Sequence, residues 1–129
     1  MIQHITYVFT DVEALIAEIG TGSVSQAAVS SRSQLVQIYC AEANQQQINA
    51  ITAVIAGKFP NAVVVGATTI GEVAHGRLVT KQTVIGFTFF ESSDVNVIAK
   101  ASNTGDEQRL GAELARSIKQ NYSDVAGIL

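Results

Sequence analysis

Two kinds of hydrophobic periodicity take turns along this chain, and together they predict an α/β fold: a mixed β-sheet with helices packed on it, roughly in the order β-α-β-α-β-β-β-α. Three observations carry that reading. Residues 4–9 alternate, with Ile5, Tyr7 and Phe9 on one face. Asn44 and Gln47 stand three apart, as in a capping box, ahead of the helical stripe Ile48, Ile51 and Ile55. The run Ala62-Val63-Val64-Val65-Gly66-Ala67 is apolar on both faces, which predicts a central strand covered by helices on each side.

The remaining elements follow in order. Asp11 offers an N-cap for a short helix whose buried stripe is Leu15, Ile16 and Ile19. Gly20-Thr21-Gly22-Ser23 leads into a Ser- and Ala-rich segment, residues 24–33, which reads as a loop carrying a helical turn or two. Residues 35–40 form an apolar strand rich in Val, Ile and Tyr. The helix after Asn44 ends at Lys58, whose charge suits the negative helix end, and Pro60 bars its continuation. A polar stretch, Thr68 to Gly76, follows the valine run. Residues 83–91 and 95–101 read as strands joined by Ser92-Ser93-Asp94 in a hairpin. A last helix starts after Thr104-Gly105, with Leu110, Leu114 and Ile118 four apart. Residues 124–129 resemble the entry to another strand, which suggests a fragment of a longer protein.

The 129 residues predict a single domain, spanning 1–129. With 47% apolar and only 15% charged residues, the chain has the composition of a packed core. The net charge of −3 offers no basic stripe for a phosphate backbone, so nucleic acid is excluded as a partner. The apolar runs fall far short of the ~20 residues of a bilayer-crossing helix, so no membrane contact is expected. No signal peptide is visible, and the lone cysteine, Cys40, fits a reducing, cytoplasmic setting.

Chemistry concentrates after the valine strand, in Gly66-Ala67-Thr68-Thr69-Ile70-Gly71-Glu72, where open α/β sheets place their ligand crevice. Gly66 and Gly71 let a ligand approach the backbone, Thr68 and Thr69 supply hydroxyls, and Glu72 supplies a carboxylate for an ammonium group. The competing reading is a turn whose threonines bond their own backbone. The segment is no P-loop, because Glu72 stands where the phosphate-binding lysine belongs. Glu42 and Asn44, at the neighbouring strand end, complete the candidate set, and Arg77 can clamp a carboxylate. His75 is either an exposed loop residue or a haem ligand. Cys40 is either a small core side chain or a nucleophile served by His75. Two histidines and one cysteine lack zinc-site spacing, so neither a metal nor a resident cofactor is expected, and no catalytic residue is named.

Phe59-Pro60-Asn61 followed by residues 62–73 resembles the signature of the FIST family, a sensory domain of bacterial signal-transduction proteins. In that family a Pro-x-Ala lead enters a valine strand and then a Gly-Cys-Ser/Thr-Thr-Ala-Gly-Glu-Ile loop. Residues 35–40, the helix over 44–58 and the strand over 83–91 occur in the family's order. Ala67 stands where the family often has Cys, and Ile70 where it often has Ala. The resemblance implies a non-enzymatic domain that binds a small ligand, such as an amino acid, and reports it to a receptor, kinase or cyclic-di-GMP output module. Two alternatives stay open: a haem-binding nitric oxide sensor using His75, and a structural fragment whose exposed sheet edge pairs in a homodimer.

Overall fold

A computed structural model describes residues 1–102 and 105–127. It divides into two compact units, residues 1–96 and 97–129. The first contains β1 (Ile2–Phe9), α1 (Val12–Thr21), α2 (Ser23–Ala28), β2 (Ser33–Cys40), α3 (Gln45–Lys58) and β3 (Val63–Thr68). It continues with β4 (Glu72–Ala74), β5 (Arg77–Val79) and β6 (Thr83–Phe90). The second unit contains α4 (Glu107–Asn121). The architecture is therefore α/β, with a mixed sheet, as the periodicities predict.

The main sheet has the order β1-β6-β2-β3. β6 runs antiparallel to both neighbours, while β2 and β3 run parallel, so the carboxyl ends of β1, β2 and β3 share one rim. The register fixes which side chains share a face: Ile85 and Phe87 meet Tyr7 and Ile5 on one flank, Ile38 and Val36 on the other.

The helix-facing side holds the core. Leu15 and Ile19 of α1, Val24 of α2 and Ile51 and Ile55 of α3 close over Val36, Ile38, Ile85, Phe87 and Phe89. Phe59 meets Phe89 edge-on at 6.1 Å between ring centroids, and Phe89 stacks beside Phe87 at 6.5 Å. Ile16, expected in the α1 stripe, is 52% exposed instead. Asp11 and Asn44 cap α1 and α3 by accepting from the N–H groups of Ala14 and Gln47.

Three expectations need correction. The valine strand β3 lies at a sheet edge; the inner strands are β6 and β2, and β6 is apolar on both faces (Val84, Ile85, Phe87, Phe89). An unbroken apolar run reports two apolar faces, not two strand neighbours. Residues 95–101 form no strand, because β1 and β2 already occupy both sides of β6. Instead Asp94 turns back to the start of β2, where Arg32 donates to it through Nε and Nη2 at 2.7 and 2.6 Å. The soft segment after Gly22 carries the six-residue helix α2, within the turn or two expected there. Residues 124–127 are not in a strand; Thr104, Ile128 and Leu129 lie outside the described residues.

The reason α2 forms is local. The Glu18 carboxylate accepts from Ser23 Oγ at 2.6 Å and from the Val24 N–H at 3.1 Å, satisfying donors at the start of α2. The Ser23 hydroxyl and these N–H groups hold the Glu18 carboxyl below its usual range. A lowered folded-state pKa means the stabilisation is complete above the unfolded value of about 4.3 and fades as pH falls through the folded one. Glu18→Gln should therefore cost about 1 kcal/mol at neutral pH in chemical denaturation. The difference from wild type should shrink when the measurement is repeated in acid.

Gly66 has a steric role. A Cβ there would sit 2.6 Å from the Ile38 carbonyl oxygen, so β3 can lie this close to β2 only with glycine. Gly66→Ala should destabilise by about 1–3 kcal/mol in urea unfolding, as for other overpacked sites.

Candidate functional site

Two cavities open beside the rim, and the residues singled out in the sequence divide between and around them. The first, about 360 Å³, lies between α3 and β3 and is lined by Ile38, Cys40, Ile48, Thr52 and residues 64–68. Gly66 and Thr68 belong to it. Its walls are mostly hydrocarbon, so it offers little to hold a charged ligand.

The second cavity, about 370 Å³, is built by the rim itself. Phe9 and Thr10 come from the end of β1, Ala41 and Glu42 from the end of β2, and Asn44 and Gln47 from the start of α3. Lys81, Gln82 and Thr83 enter at the start of β6, which reaches this rim because it runs antiparallel. Asn44 Oδ1 is committed to the Gln47 N–H at 3.0 Å. The Gln47 side chain does not complete a capping box; its Oε1 accepts from the buried Thr83 hydroxyl at 3.3 Å. Those bonds fix both amides and leave their NH₂ groups as donors. Glu42 and Lys81 place one negative and one positive group on the same lining.

Thr69, Gly71, Glu72 and Arg77 line neither cavity. The Thr69 N–H extends the β2–β3 ladder by donating to the Cys40 carbonyl at 2.9 Å. Gly71 lies against Leu78 and Thr80. Glu72 pairs across β4–β5 with Val79, and its Oε1 is buried without a hydrogen-bond partner. Arg77 is exposed on β5. The short sheet of β4 and β5, unforeseen in the sequence, turns at His75 and Gly76, whose φ values of 51° and 73° are both left-handed. Ala74 pairs with Arg77 around that two-residue connection, the geometry of a type I′ hairpin.

His75 is thus a turn residue, exposed at a hairpin tip. His75 lines neither of the two cavities. Cys40 is 4% exposed, and burial pushes its thiol above the ordinary range, against the thiolate a nucleophile requires.

The sequence reading missed Thr10, Gln82, Thr83 and above all Lys81. Pairing residues 83–91 with 95–101 left the start of that strand unplaced, whereas a central antiparallel lane for β6 puts Lys81 on the rim. Lys81 carries one further signal. Its φ of 58° is left-handed, a conformation that costs a side-chain-bearing residue about 1–2 kcal/mol.

The FIST N domain model matches residues 34–129, about three quarters of the chain. The chain belongs to the FIST family. It is accordingly a sensory domain of signal transduction. No curated protein and no solved structure matches it significantly. The family match begins at Gln34, so Phe9 and Thr10 bring to the polar cavity two residues from outside the matched segment. Among the described residues, no helix of this FIST domain is long and apolar enough to cross a membrane.

If Lys81 accepts backbone strain to place its ammonium group at the cavity, glycine there should relieve it. Lys81→Gly should raise stability by about 0.5–1 kcal/mol, the relief being partly offset by the entropy of a more flexible unfolded chain. Thermal unfolding measures this directly.

Proposed function

We propose that this FIST domain senses a small zwitterion of the amino-acid class in the polar cavity at the carboxyl ends of β1 and β2. The observation that carries the reading is the opposed pair on one lining: Lys81 to receive a carboxylate, Glu42 to receive an ammonium group. The amides of Asn44 and Gln47 supply neutral donors between them. A volume of about 370 Å³ suits a ligand of that size. Sensing requires the ligand to bind one conformation of the domain better than another, and the segment from Thr69 to Gln82, which links β3 to β6 across the rim, is the natural element to respond. The reporting partner is a signalling output module, and the setting is the cytoplasm, in keeping with a single reduced cysteine.

A second reading takes its support from Glu72, whose buried, unpartnered Oε1 suits an ammonium group arriving at the β4–β5 hairpin.

Calorimetric titration with the common amino acids separates the two. Under the first reading at least one amino acid binds, and Lys81→Met and Glu42→Gln each weaken it by about tenfold or more, the usual loss of a charge-assisted contact. Glu72→Gln leaves the affinity near wild type. Loss in Glu72→Gln with retention in Glu42→Gln reverses the assignment. Heat from no member of the panel overturns the amino-acid class.

A further inference from the structure

The lining of the polar cavity is richer in hydrogen-bond donors than in acceptors, and the cause is the way its two amides are held. Asn44 spends its side-chain oxygen on the α3 cap, accepting from the Gln47 N–H at 3.0 Å, and its own N–H donates to the Glu42 carbonyl at 2.9 Å. Its NH₂ group has no partner among the described residues. Gln47 spends its oxygen in the other direction. Oε1 accepts at 3.3 Å from the hydroxyl of Thr83, the one buried polar residue among those described, and the Gln47 NH₂ group is likewise left over.

The charged groups are uncommitted too. Among the described residues neither Lys81 nor Glu42 takes part in an ion pair, with the other or with anything else. The lining therefore offers the Lys81 ammonium and two amide NH₂ groups as donors, against the single Glu42 carboxylate as a dedicated acceptor. Thr10 and Gln82 can serve as either.

We infer that the ligand of this cavity is an acidic amino acid, whose side-chain carboxylate is received by the NH₂ groups of Asn44 and Gln47. The inference rests on the zwitterion reading and narrows it. Lys81 and Glu42 are taken up by the ligand's own α-carboxylate and α-ammonium groups, which leaves the two amides to read the side chain. A carboxylate is acceptor-only and satisfies both. An amide side chain brings a third NH₂ group against them, and a basic one sets donors against donors. An alkyl side chain covers both groups without pairing either, which costs affinity each time. Thr83 is then a positioning residue: it touches no ligand, but its hydroxyl decides which end of the Gln47 amide the cavity presents.

Calorimetric titration of the full chain with aspartate, asparagine, glutamate and glutamine tests this, the readout being the preference for an acid over its own amide. At least one acid should bind about tenfold or more tightly than its amide. Asn44→Asp keeps a cap oxygen for α3 but puts an acceptor where the NH₂ group was, so that preference should fall by about tenfold or more, with circular dichroism unchanged. Thr83→Val keeps the shape of the buried side chain and frees the Gln47 amide to turn, so the preference should narrow while the amide ligand binds about as before. An amide that matches its acid in wild type, or an Asn44→Asp variant that weakens both ligands equally, overturns this inference and leaves the zwitterion reading standing. Heat from no amino acid overturns both.

Discussion

The constraint on which the rest of this structure depends is the occupancy of β6. Both of its flanks are hydrogen-bonded, to β1 on one side and β2 on the other. That single arrangement makes the sheet mixed, brings three parallel carboxyl ends and one amino end to the same rim, and pushes β3 outward to the edge. It also keeps the segment after β6 from pairing back onto β6, and that segment is held instead through Arg32 and Asp94. Phe87 and Phe89 secure the arrangement from within, since each is nearly fully buried under the helices. Fully buried aromatic side chains of this size dominate a small core.

The rim acquires its chemistry from this convergence. Strand ends, the capped start of α3 and the entry into β6 each contribute one or two polar side chains, none of which amounts to a motif alone. Together they bring Glu42 and Lys81 to a common lining with two anchored amides. The end of β3 and the loop after it, which hold the family's most recognisable wording, take a more structural part: Thr69 continues the ladder, and Gly66 admits the Ile38 carbonyl. Family membership and cavity chemistry therefore rest on partly different residues.

What was legible in the sequence was local. The caps at Asp11 and Asn44, the stripe of Ile51 and Ile55, and the alternation of β1 all depend on neighbours within a few positions, and the structure reproduces them. Strand order was not legible, because a run such as 62–67 records how apolar its surroundings are without recording who pairs with it. The polar cavity was half legible. Glu42 and Asn44 stand at a strand end and a helix start that periodicity locates, whereas Lys81 reaches them only through a pairing between distant segments. The β4–β5 hairpin hid behind its turn: His75-Gly76 is a weaker signal than Asn-Gly for the same left-handed pair of conformations.

One consequence concerns the order in which the molecule can be assembled on the ribosome. β1 is made first, yet its ladder partner is among the last parts of the sheet to emerge, with Ile2 waiting for Phe90. Until then β2, α3 and β3 can associate as a parallel pair under a helix, but the lane between β1 and β2 stands empty and the aromatic half of the core is missing. The nascent polypeptide therefore passes through a stage with unpaired strands and uncovered hydrocarbon, the condition under which young chains engage chaperones or clump.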